Sequence, residues 1–287
     1  ASVNLRIEPT DRVIGAIAHG FDLARVPKGD ELERLEDALE AYGVLVIPNQ
    51  HHATPAQQIA FSRALGPLEL SDMEAALMPG HPEIFVVGNI GKKRVTFSPA
   101  DDLGELEWHS DHIHLKVRAR ASLLLARAVP PVGGDTLFAC MYSAYDALNA
   151  EQQSAYQHLN VVNDVSGLDA YLAEQGLDAD AGDGDLVAPA VWPLVRTHPR
   201  SGRKALYFGN QVSVDVVGWP RDRTKAFIAE LTAHACRPAF RYRHRWQTGD
   251  AVLWDNRRVL HAGTPYELNG PAREMHRTTI REIEPTH

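Results

Sequence analysis

Short runs of apolar and β-branched residues recur along this chain, and each is soon closed by proline, glycine or a polar turn. The run 44–47 reads Val-Leu-Val-Ile and stops at Pro48, which is typical of a buried strand. Helical spacing is confined to 29–42, 54–65, 141–148, 150–159 and 223–235. Many short strands with few, peripheral helices predict a mainly β protein built as a double-sheet jelly roll. The other predicted strands are 3–7, 14–17, 84–87, 121–128, 194–198, 205–208, 240–246, 251–254 and 275–280.

Length and composition favour a single domain. The chain has 287 residues, 44% hydrophobic and 23% charged, with no break in composition, so we expect 1–287 to fold as one unit. The segment 164–190 differs because it is rich in aspartate, glycine and alanine and has no basic residue. Long segments without secondary structure are usually disordered or functional. We expect this one to be a disordered loop or a mobile lid of the same domain.

Charge and cysteine content limit the partners. A net charge of -8 at pH 7 argues against nucleic acid, because phosphate binding needs a concentrated basic face. No apolar run approaches the ~18 residues of a membrane helix, and the first residues show no export signal. Cys140 and Cys236 are too few for a disulfide framework and fit a reducing compartment. We therefore expect a cytoplasmic protein with no membrane partner; its oligomeric state, a homo-oligomer included, stays open.

Candidate metal ligands occur at two places. In an extended strand residues i and i+2 project to one face, so His109 and Asp111 can reach the same ion. A lone His-x-Asp arises easily by chance among 14 histidines and 37 acidic residues. His261, which follows a predicted strand and a polar turn, supplies the third ligand. Two imidazoles and one carboxylate leave open positions for a co-substrate, a substrate and O2, as in Fe(II) oxygenases.

Two arginines lie on the strand predicted after His261. An α-keto acid that chelates the iron needs a cation for its distal carboxylate, and the planar fork of arginine pairs with a carboxylate bidentately. Arg273 and Arg277 are four residues apart and can share one strand face. An isolated pair of this kind is usually a solvated strand edge, but beside a metal site we expect a binding role.

Four motifs together resemble the taurine dioxygenase family, which includes the 2,4-dichlorophenoxyacetate dioxygenases. Their order and approximate spacing agree with that family, and the resemblance extends over about 7–283. The second half resembles the phenoxyacetate branch most, at 192–198, 201–204 and 242–246. The motifs are Trp108-His109-Ser110-Asp111, Gly133-Gly134-Asp135-Thr136, Trp254-Asp255-Asn256-Arg257 with His261, and Arg273 with Met275-His276-Arg277.

The resemblance implies a fold, a reaction and residue roles. The fold would be a double-stranded β-helix, the cupin-like form of a jelly roll, and the cofactors Fe(II) and 2-oxoglutarate with O2. The enzyme would release succinate and CO2 and hydroxylate a small anionic substrate. The ligand Asp111 favours hydroxylation, because related halogenases lack that carboxylate. By the same resemblance Thr136 and Arg273 would bind the distal carboxylate of 2-oxoglutarate, while the substrate would contact Arg277, His198 and Glu105.

The chain departs from its relatives where the substrate is chosen. Glu105 stands where taurine dioxygenase has an asparagine, which argues against a sulfonate. The segment 210–214 replaces a histidine-containing stretch of the phenoxyacetate enzymes, so chlorophenoxyacetate itself is not assured. We expect a carboxylate-bearing, partly apolar or aromatic substrate, with a sulfonate as the alternative.

Two readings from other classes stay open. A non-catalytic, cupin-like zinc protein would need no co-substrate anchor, which Thr136 and Arg273 would provide. A metal hydrolase would need a general base, for which His112 and His114 are the nearby offers. On a regular strand His112 would face away from His109.

Overall fold

The structure is a computed structural model that describes residues 4–70, 76–90, 106–174 and 187–283. Glu105 and the part 175–186 of the expected lid lie outside these residues. The helices are α1 (Asp30–Tyr42), α2 (Pro55–Arg63), α3 (Met141–Asp146), α4 (Ala150–Tyr156), α5 (Val165–Glu174) and α6 (Arg221–Ala235). The strands are β1 (Arg6–Pro9), β2 (Ala16–His19), β3 (Val44–Ile47), β4 (Leu77–Met78), β5 (His81–Gly88), β6 (Ala119–Ala128), β7 (Thr136–Cys140), β8 (Asn160–Asn163), β9 (Ala190–Pro193), β10 (Val195–Thr197), β11 (Lys204–Leu206), β12 (Ser213–Val216), β13 (Arg241–His244), β14 (Ala251–Asp255), β15 (Val259–Gly263) and β16 (Glu274–Arg281).

The described strands form one large sheet and three small ones. The large sheet has the order β1-β2-β3-β14-β6-β16-β5-β4, and its central strands pair antiparallel. A three-stranded sheet, β13-β7-β15, shares a core with it. Within that core the ring of Phe138 on β7 lies 5.5 Å from the ring of Trp254 on β14. Two facing sheets make the jelly roll that the strand pattern predicts.

Both faces of the large sheet are buried at its centre. On β3, Val44 and Val46 belong to the core shared with β7 and β15, whereas Leu45 and Ile47 pack in the core that contains α1 residues. The alternation follows from the two-residue period of a strand. Because neither face meets water, the strand is apolar throughout instead of alternating with polar residues.

Several elements begin where the sequence predicts. Strand β3 occupies 44–47, and Thr54 caps α2 in a capping box with Gln57, with proline at the first helical position.

The segment 164–190 differs from the expectation, because 165–174 form helix α5 instead of a loop. Its Tyr171 is buried. Whether the segment acts as a lid stays a prediction. None of the helices in the described ranges has the length and hydropathy needed to span a bilayer.

Candidate active site

The two candidate histidine ligands lie directly opposite each other. His109 forms an antiparallel bridge with His261 of β15, in which each backbone N–H donates to the other residue's carbonyl at 3.0 and 2.9 Å. Side chains of such a pair project to the same face. The ring centroids are consequently 4.1 Å apart.

Asp111 completes the group at a turn. The chain leaves the extended conformation after this residue, since His112 has a φ of 57°. The Oδ1 atom of Asp111 lies 3.6 Å from His109 Nε2 and 3.7 Å from His261 Nε2. The other oxygen, Oδ2, accepts a hydrogen bond of 2.6 Å from Ser122. Only one carboxylate oxygen therefore faces the imidazoles.

The donor set fits one metal ion. The three ligand atoms lie within 4.8 Å of one another. Bonds of ~2.1 Å to nitrogen or oxygen place neighbouring donors roughly 3 Å apart, so small movements would close the set around an ion. Two imidazoles and one monodentate carboxylate on one side leave the opposite side open, as in a facial triad for Fe(II).

Burial and charge set the protonation of the ligands. Burial lowers the pKa of His261 to about 3, with the positive charge of His109 acting in the same direction. Burial opposes ionisation of Asp111, but Arg277, His261 and His109 together outweigh it and hold the pKa of Asp111 well below its usual range. Burial also lowers the pKa of His109, but the negative charges of Glu107 and Asp111 prevail and raise it to about 10. At neutral pH, His261 and Asp111 already have the protonation states of metal ligands.

Ser122 and Asn256 fix the orientation of Asp111. The Asn256 side chain donates to Ser122 Oγ at 2.9 Å and accepts from the backbone N–H of Asp111 at 3.2 Å. Its backbone carbonyl accepts from Ser110 Oγ at 2.9 Å. All three contacts are buried, so they define one position for the carboxylate.

Thr136 and Arg273 lie at the same end of β7. The Nε and Nη2 atoms of Arg273 donate to the carbonyl of Gly134 at 3.3 and 3.1 Å, and Arg273 is only 5% exposed. Gly134 has a φ of +72°, and a Cβ there would come within 2.9 Å of Arg273 Nε, so a side chain would displace this arginine. Trp246 Nε1 donates to Thr136 Oγ1 at 3.0 Å. The Thr136 hydroxyl thus keeps its own proton for another acceptor.

Arg277 lies beside the metal ligands. Its Nη1 donates to Asp111 Oδ1 at 3.2 Å, and its guanidinium carbon lies 4.9 Å from the centre of the Phe85 ring. Strand β16 pairs with β5 without a register shift from Glu274 to Arg277, so the two arginines point to one side but stand four residues apart along the chain. The two arginines accordingly have separate surroundings: Arg273 reaches Gly134 and Arg277 reaches Asp111.

Two predictions need correction or restriction. His112 does not face away from the site, because the turn at Asp111 carries it into a small cavity that is also lined by Arg277 and Phe85. His198 is not brought to the ligand group. It is completely buried, its Nε2 lies 2.8 Å from Asp255 Oδ2, and its Nδ1 accepts the backbone N–H of Arg200 at 3.2 Å. With both nitrogens engaged, these surroundings give no support to a substrate contact.

The sequence analysis missed three residues that support the site: Glu107, Ser122 and Trp246. A signal existed for Glu107, which precedes His109 by two positions and thus shares its strand face. Nothing local indicates Ser122 or Trp246, since tertiary packing alone brings them to Asp111 and Thr136.

The sequence is similar to known proteins of one enzyme family. The model of the family described as Taurine catabolism dioxygenase TauD, TfdA family matches residues 6–279. The chain is 36% identical over 279 residues to an alpha-ketoglutarate-dependent 2,4-dichlorophenoxyacetate dioxygenase of Cupriavidus pinatubonensis, covering 94% of this chain and 96% of the relative. It is 36% identical over 271 residues to an (S)-phenoxypropionate/alpha-ketoglutarate-dioxygenase of Sphingobium herbicidovorans, covering 91% and 90%.

A solved structure gives the same result for the fold. The structure of AAD-2 in complex with Mn(II) and N-oxalylglycine superposes with a TM-score of 0.81 at 30% identity, covering 99% of this chain and 100% of that one. The double-stranded β-helix is thereby confirmed. The chain belongs to the taurine dioxygenase TauD, TfdA family, and it is an enzyme that depends on Fe(II), 2-oxoglutarate and O2.

Proposed function

We propose that this enzyme hydroxylates a small substrate that carries a carboxylate beside an apolar or aromatic group, with release of succinate and CO2. The position of Arg277 carries the proposal. Its guanidinium lies next to the candidate metal ligand Asp111 and against Phe85, and Leu77 and Pro82 line the same cavity. A cation beside an aromatic ring suits an aryloxy carboxylate, the substrate class named for the two relatives.

In this proposal His109, Asp111 and His261 hold the metal. When bound, Fe(II) supplies the redox chemistry that couples the decarboxylation of 2-oxoglutarate to hydroxylation. Ser122 and Asn256 restrict Asp111 to one donor oxygen, which leaves coordination positions for the co-substrate. Arg277 and Phe85, which lie beside the ligands, would position the substrate for oxidation.

Thr136 and Arg273 would bind the distal carboxylate of 2-oxoglutarate. The support is the buried guanidinium of Arg273 and the Thr136 hydroxyl, whose lone pair already accepts from Trp246. A buried cation and a directed hydroxyl donor suit a carboxylate that enters a water-poor site. Arg277 would bind the anionic group of the substrate.

A sulfonate substrate is the competing assignment, because an arginine also pairs with sulfonate oxygens. Phe85 beside Arg277 favours an aromatic acid over a small amino sulfonate.

Substituting each metal ligand by alanine tests the site: we expect His109→Ala, Asp111→Ala and His261→Ala each to abolish substrate-dependent succinate release. Near-wild-type turnover of any variant would remove that residue from the ligand set.

A substrate panel tests the substrate class. Metal-free enzyme is loaded anaerobically with Fe(II) and 2-oxoglutarate, and phenoxyacetate, phenoxypropionate, an aliphatic acid and taurine are compared by succinate released after O2 is admitted. We expect the aryloxy acids to release the most succinate above the substrate-free rate. Preference for taurine would favour the sulfonate assignment instead.

Two expectations about the cellular setting remain part of the proposal. A cytoplasmic location is supported by Cys140 and Cys236, which are both buried free thiols. The net charge of -8 supports a small-molecule partner over nucleic acid. The number of subunits is left to a sedimentation measurement.

A further inference from the structure

A buried carboxylate lies behind one candidate metal ligand. Glu107 is 8% exposed, and its Oε2 lies 2.7 Å from His109 Nδ1, on the ring side opposite the ligand nitrogen Nε2. The Glu107 carbonyl is also within reach of Nδ1, at 3.2 Å. The carboxylate is closer and carries a full charge, so it is the stronger acceptor.

Because Glu107 is buried, its carboxylate needs a partner that compensates its charge. A carboxylate removed from water is costly unless it is paired and hydrogen-bonded. Among the described residues, the Glu107 side chain has no ion pair besides His109. The neighbouring positions, Leu106 and Trp108, are buried apolar residues. The imidazole of His109 is therefore the group that compensates this buried charge.

The imidazole of His261 has different hydrogen-bond surroundings from that of His109. Nδ1 of His261 is buried and has no hydrogen-bond partner within the described part of the chain. The two imidazoles face the same aspartate oxygen at nearly equal distances, 3.6 and 3.7 Å. Within the described ranges, only the imidazole of His109 is backed by a carboxylate.

The backbone around Glu107 is clamped. Asn210 donates from its side chain to the carbonyl of Leu106 at 2.8 Å and accepts from the N–H of Trp108 at 3.0 Å. Its own N–H donates to the carbonyl of Trp108 at 3.0 Å. These bonds hold both peptide neighbours of Glu107, so its side chain leaves the backbone in a fixed direction.

We propose that Glu107 is a positioning residue that accepts the Nδ1 proton of His109 and thereby directs the Nε2 lone pair of His109 at the metal. The inference rests on the proposed ligand role of His109. A carboxylate behind a ligand imidazole fixes its tautomer and ring orientation and raises its basicity, and loss of such a partner typically costs about 10–100-fold in metal affinity. His261, without such a partner, would be the weaker nitrogen ligand.

The test is Glu107→Gln, which keeps the length and an acceptor oxygen but removes the charge. Mn(II) is titrated into metal-free protein, and free Mn(II) is measured by electron paramagnetic resonance. We expect the dissociation constant to rise about 10–100-fold. The matched control is Glu274→Gln, since Glu274 also lies 2.7 Å from a histidine nitrogen, His276 Nε2, outside the ligand set. The control should keep wild-type Mn(II) affinity.

A second readout separates a metal effect from a fold effect. In the anaerobic Fe(II)–2-oxoglutarate complex, weaker donation from His109 should move the metal-to-ligand absorption band of Glu107→Gln to higher energy. The melting temperature of metal-free Glu107→Gln is compared with that of Glu274→Gln. An unchanged Mn(II) affinity in Glu107→Gln, with affinity lost in His109→Ala, would overturn the role of Glu107 and leave the ligand assignment standing.

His109→Ala separates the claim that His109 is a metal ligand from the claim that Glu107 positions it. If this variant keeps Mn(II) affinity, the ligand assignment fails and the role of Glu107 fails with it. If Glu107→Gln does not fold, nitrogen-15 NMR of the wild-type Zn(II) complex replaces it. We expect a strongly deshielded, slowly exchanging Nδ1 proton on His109, and its absence would overturn the inference.

Discussion

Asp111 shows how a single residue is restricted to one ligand atom. Its Oδ2 receives the hydroxyl of Ser122 at 2.6 Å, and Ser122 is in turn the acceptor for Asn256. Its Oδ1 faces both imidazoles and Arg277. A carboxylate that could rotate freely would be able to bind a metal through both oxygens and occupy a position needed by the co-substrate. The hydrogen bonds of Ser122 and Asn256 thus bear on coordination number as well as on stability.

Ser122→Ala tests this control of Asp111. The variant leaves Asp111 Oδ2 and the Asn256 amide without their partner, so we expect Mn(II) affinity to fall about tenfold. We also expect the free energy of unfolding to fall by roughly 1–3 kcal/mol. Ser62→Ala is the control, because Ser62 is equally buried and bonds to Thr278 at 2.7 Å. Ser62→Ala should lose stability but keep wild-type Mn(II) affinity. Equal Mn(II) affinities in Ser122→Ala and Ser62→Ala would contradict the role of Ser122.

Arg273→Gln tests the co-substrate anchor. Loss of a charge-assisted pair worth about 1.5–3 kcal/mol corresponds to roughly 10–100-fold in affinity, and we expect the apparent KM for 2-oxoglutarate to rise by that factor. Arg273→Lys keeps the charge without the planar fork, so its apparent KM for 2-oxoglutarate should fall between those of wild type and Arg273→Gln. An unchanged dependence on 2-oxoglutarate in Arg273→Gln would show that another group binds the distal carboxylate.

Arg277→Leu should separate from Arg273→Gln. Because Thr136 and Arg273 remain, we expect 2-oxoglutarate affinity to stay near wild type while substrate affinity falls about 10–100-fold. Absorption titration of the Fe(II)–2-oxoglutarate complex, before and after substrate addition, measures both. Arg277→Lys preserves a positive charge beside Asp111, which controls for the loss of that contact. Loss of 2-oxoglutarate binding in Arg277→Leu would mean that the two arginine roles are interchanged.

Two of the three ligand residues could be proposed from sequence because their relation is local. His109 and Asp111 are two positions apart, and the turn at His112 leaves both near the site. The partner of His198 could not be predicted in this way. Asp255 is 57 positions away along the chain, and only the packing of β10 near the end of β14 brings the two together.

Strands β7 and β15 carry Thr136 and His261, yet the sequence analysis assigned a strand to neither segment. Both are short, almost wholly apolar runs, and periodicity cannot separate a buried strand of this kind from part of a helix. Strand β7 also continues directly into helix α3 without a turn. By contrast, α2 was predictable because its proline and capping box act within one turn. Element boundaries with local chemical signals can thus be read, whereas burial on both faces removes the signal.

An ion-pair cluster joins β10 to β14 behind the site. Arg257 donates to both oxygens of Asp255 at 2.8 and 2.9 Å, and His198 lies 2.8 Å from Oδ2. Burial opposes ionisation of Asp255, but Arg257 and His198 together hold its pKa far below the usual range. The carboxylate therefore remains charged in the folded protein even in acid.

Asp255→Asn should destabilise the protein in a pH-dependent way. Removing one partner of a buried pair costs about 3–5 kcal/mol. A group whose folded pKa is depressed contributes this stability above its unfolded pKa of ~3.9, and the contribution is lost as the pH falls through the folded pKa. We expect the wild-type advantage in urea unfolding to be full at neutral pH and to shrink below pH ~4. Asp215→Asn, at an exposed pair with Arg221, should cost at most about 1 kcal/mol; a pH-independent difference for Asp255→Asn would contradict the assignment.

At the scale of the whole molecule, the candidate site joins the two facing sheets. His261 and Thr136 come from the three-stranded sheet, and Ser122 and Arg277 come from the large sheet. The neighbours in the large sheet, β3, β14, β6 and β16, are far apart in sequence. Strand patterns could predict a two-sheet β fold, but the order of strands follows from long-range pairing that no local period encodes.

Because the site draws on both sheets, metal and co-substrate should stabilise the folded chain against unfolding. A ligand at ~100 times its dissociation constant adds about 2.7 kcal/mol when it binds only the folded state. For a protein of this size, ~1 kcal/mol corresponds to about 2–4 °C in Tm, so we expect Mn(II) with 2-oxoglutarate to raise the Tm by roughly 5–10 °C. Calorimetry of metal-free protein with and without both ligands measures the shift, with 2-oxoglutarate alone as the reference. His109→Ala should show little or no shift, whereas Glu274→Gln should match wild type. An equal shift in His109→Ala would place the stabilising metal elsewhere in the molecule, because the rise would then not depend on the imidazole that faces Asp111.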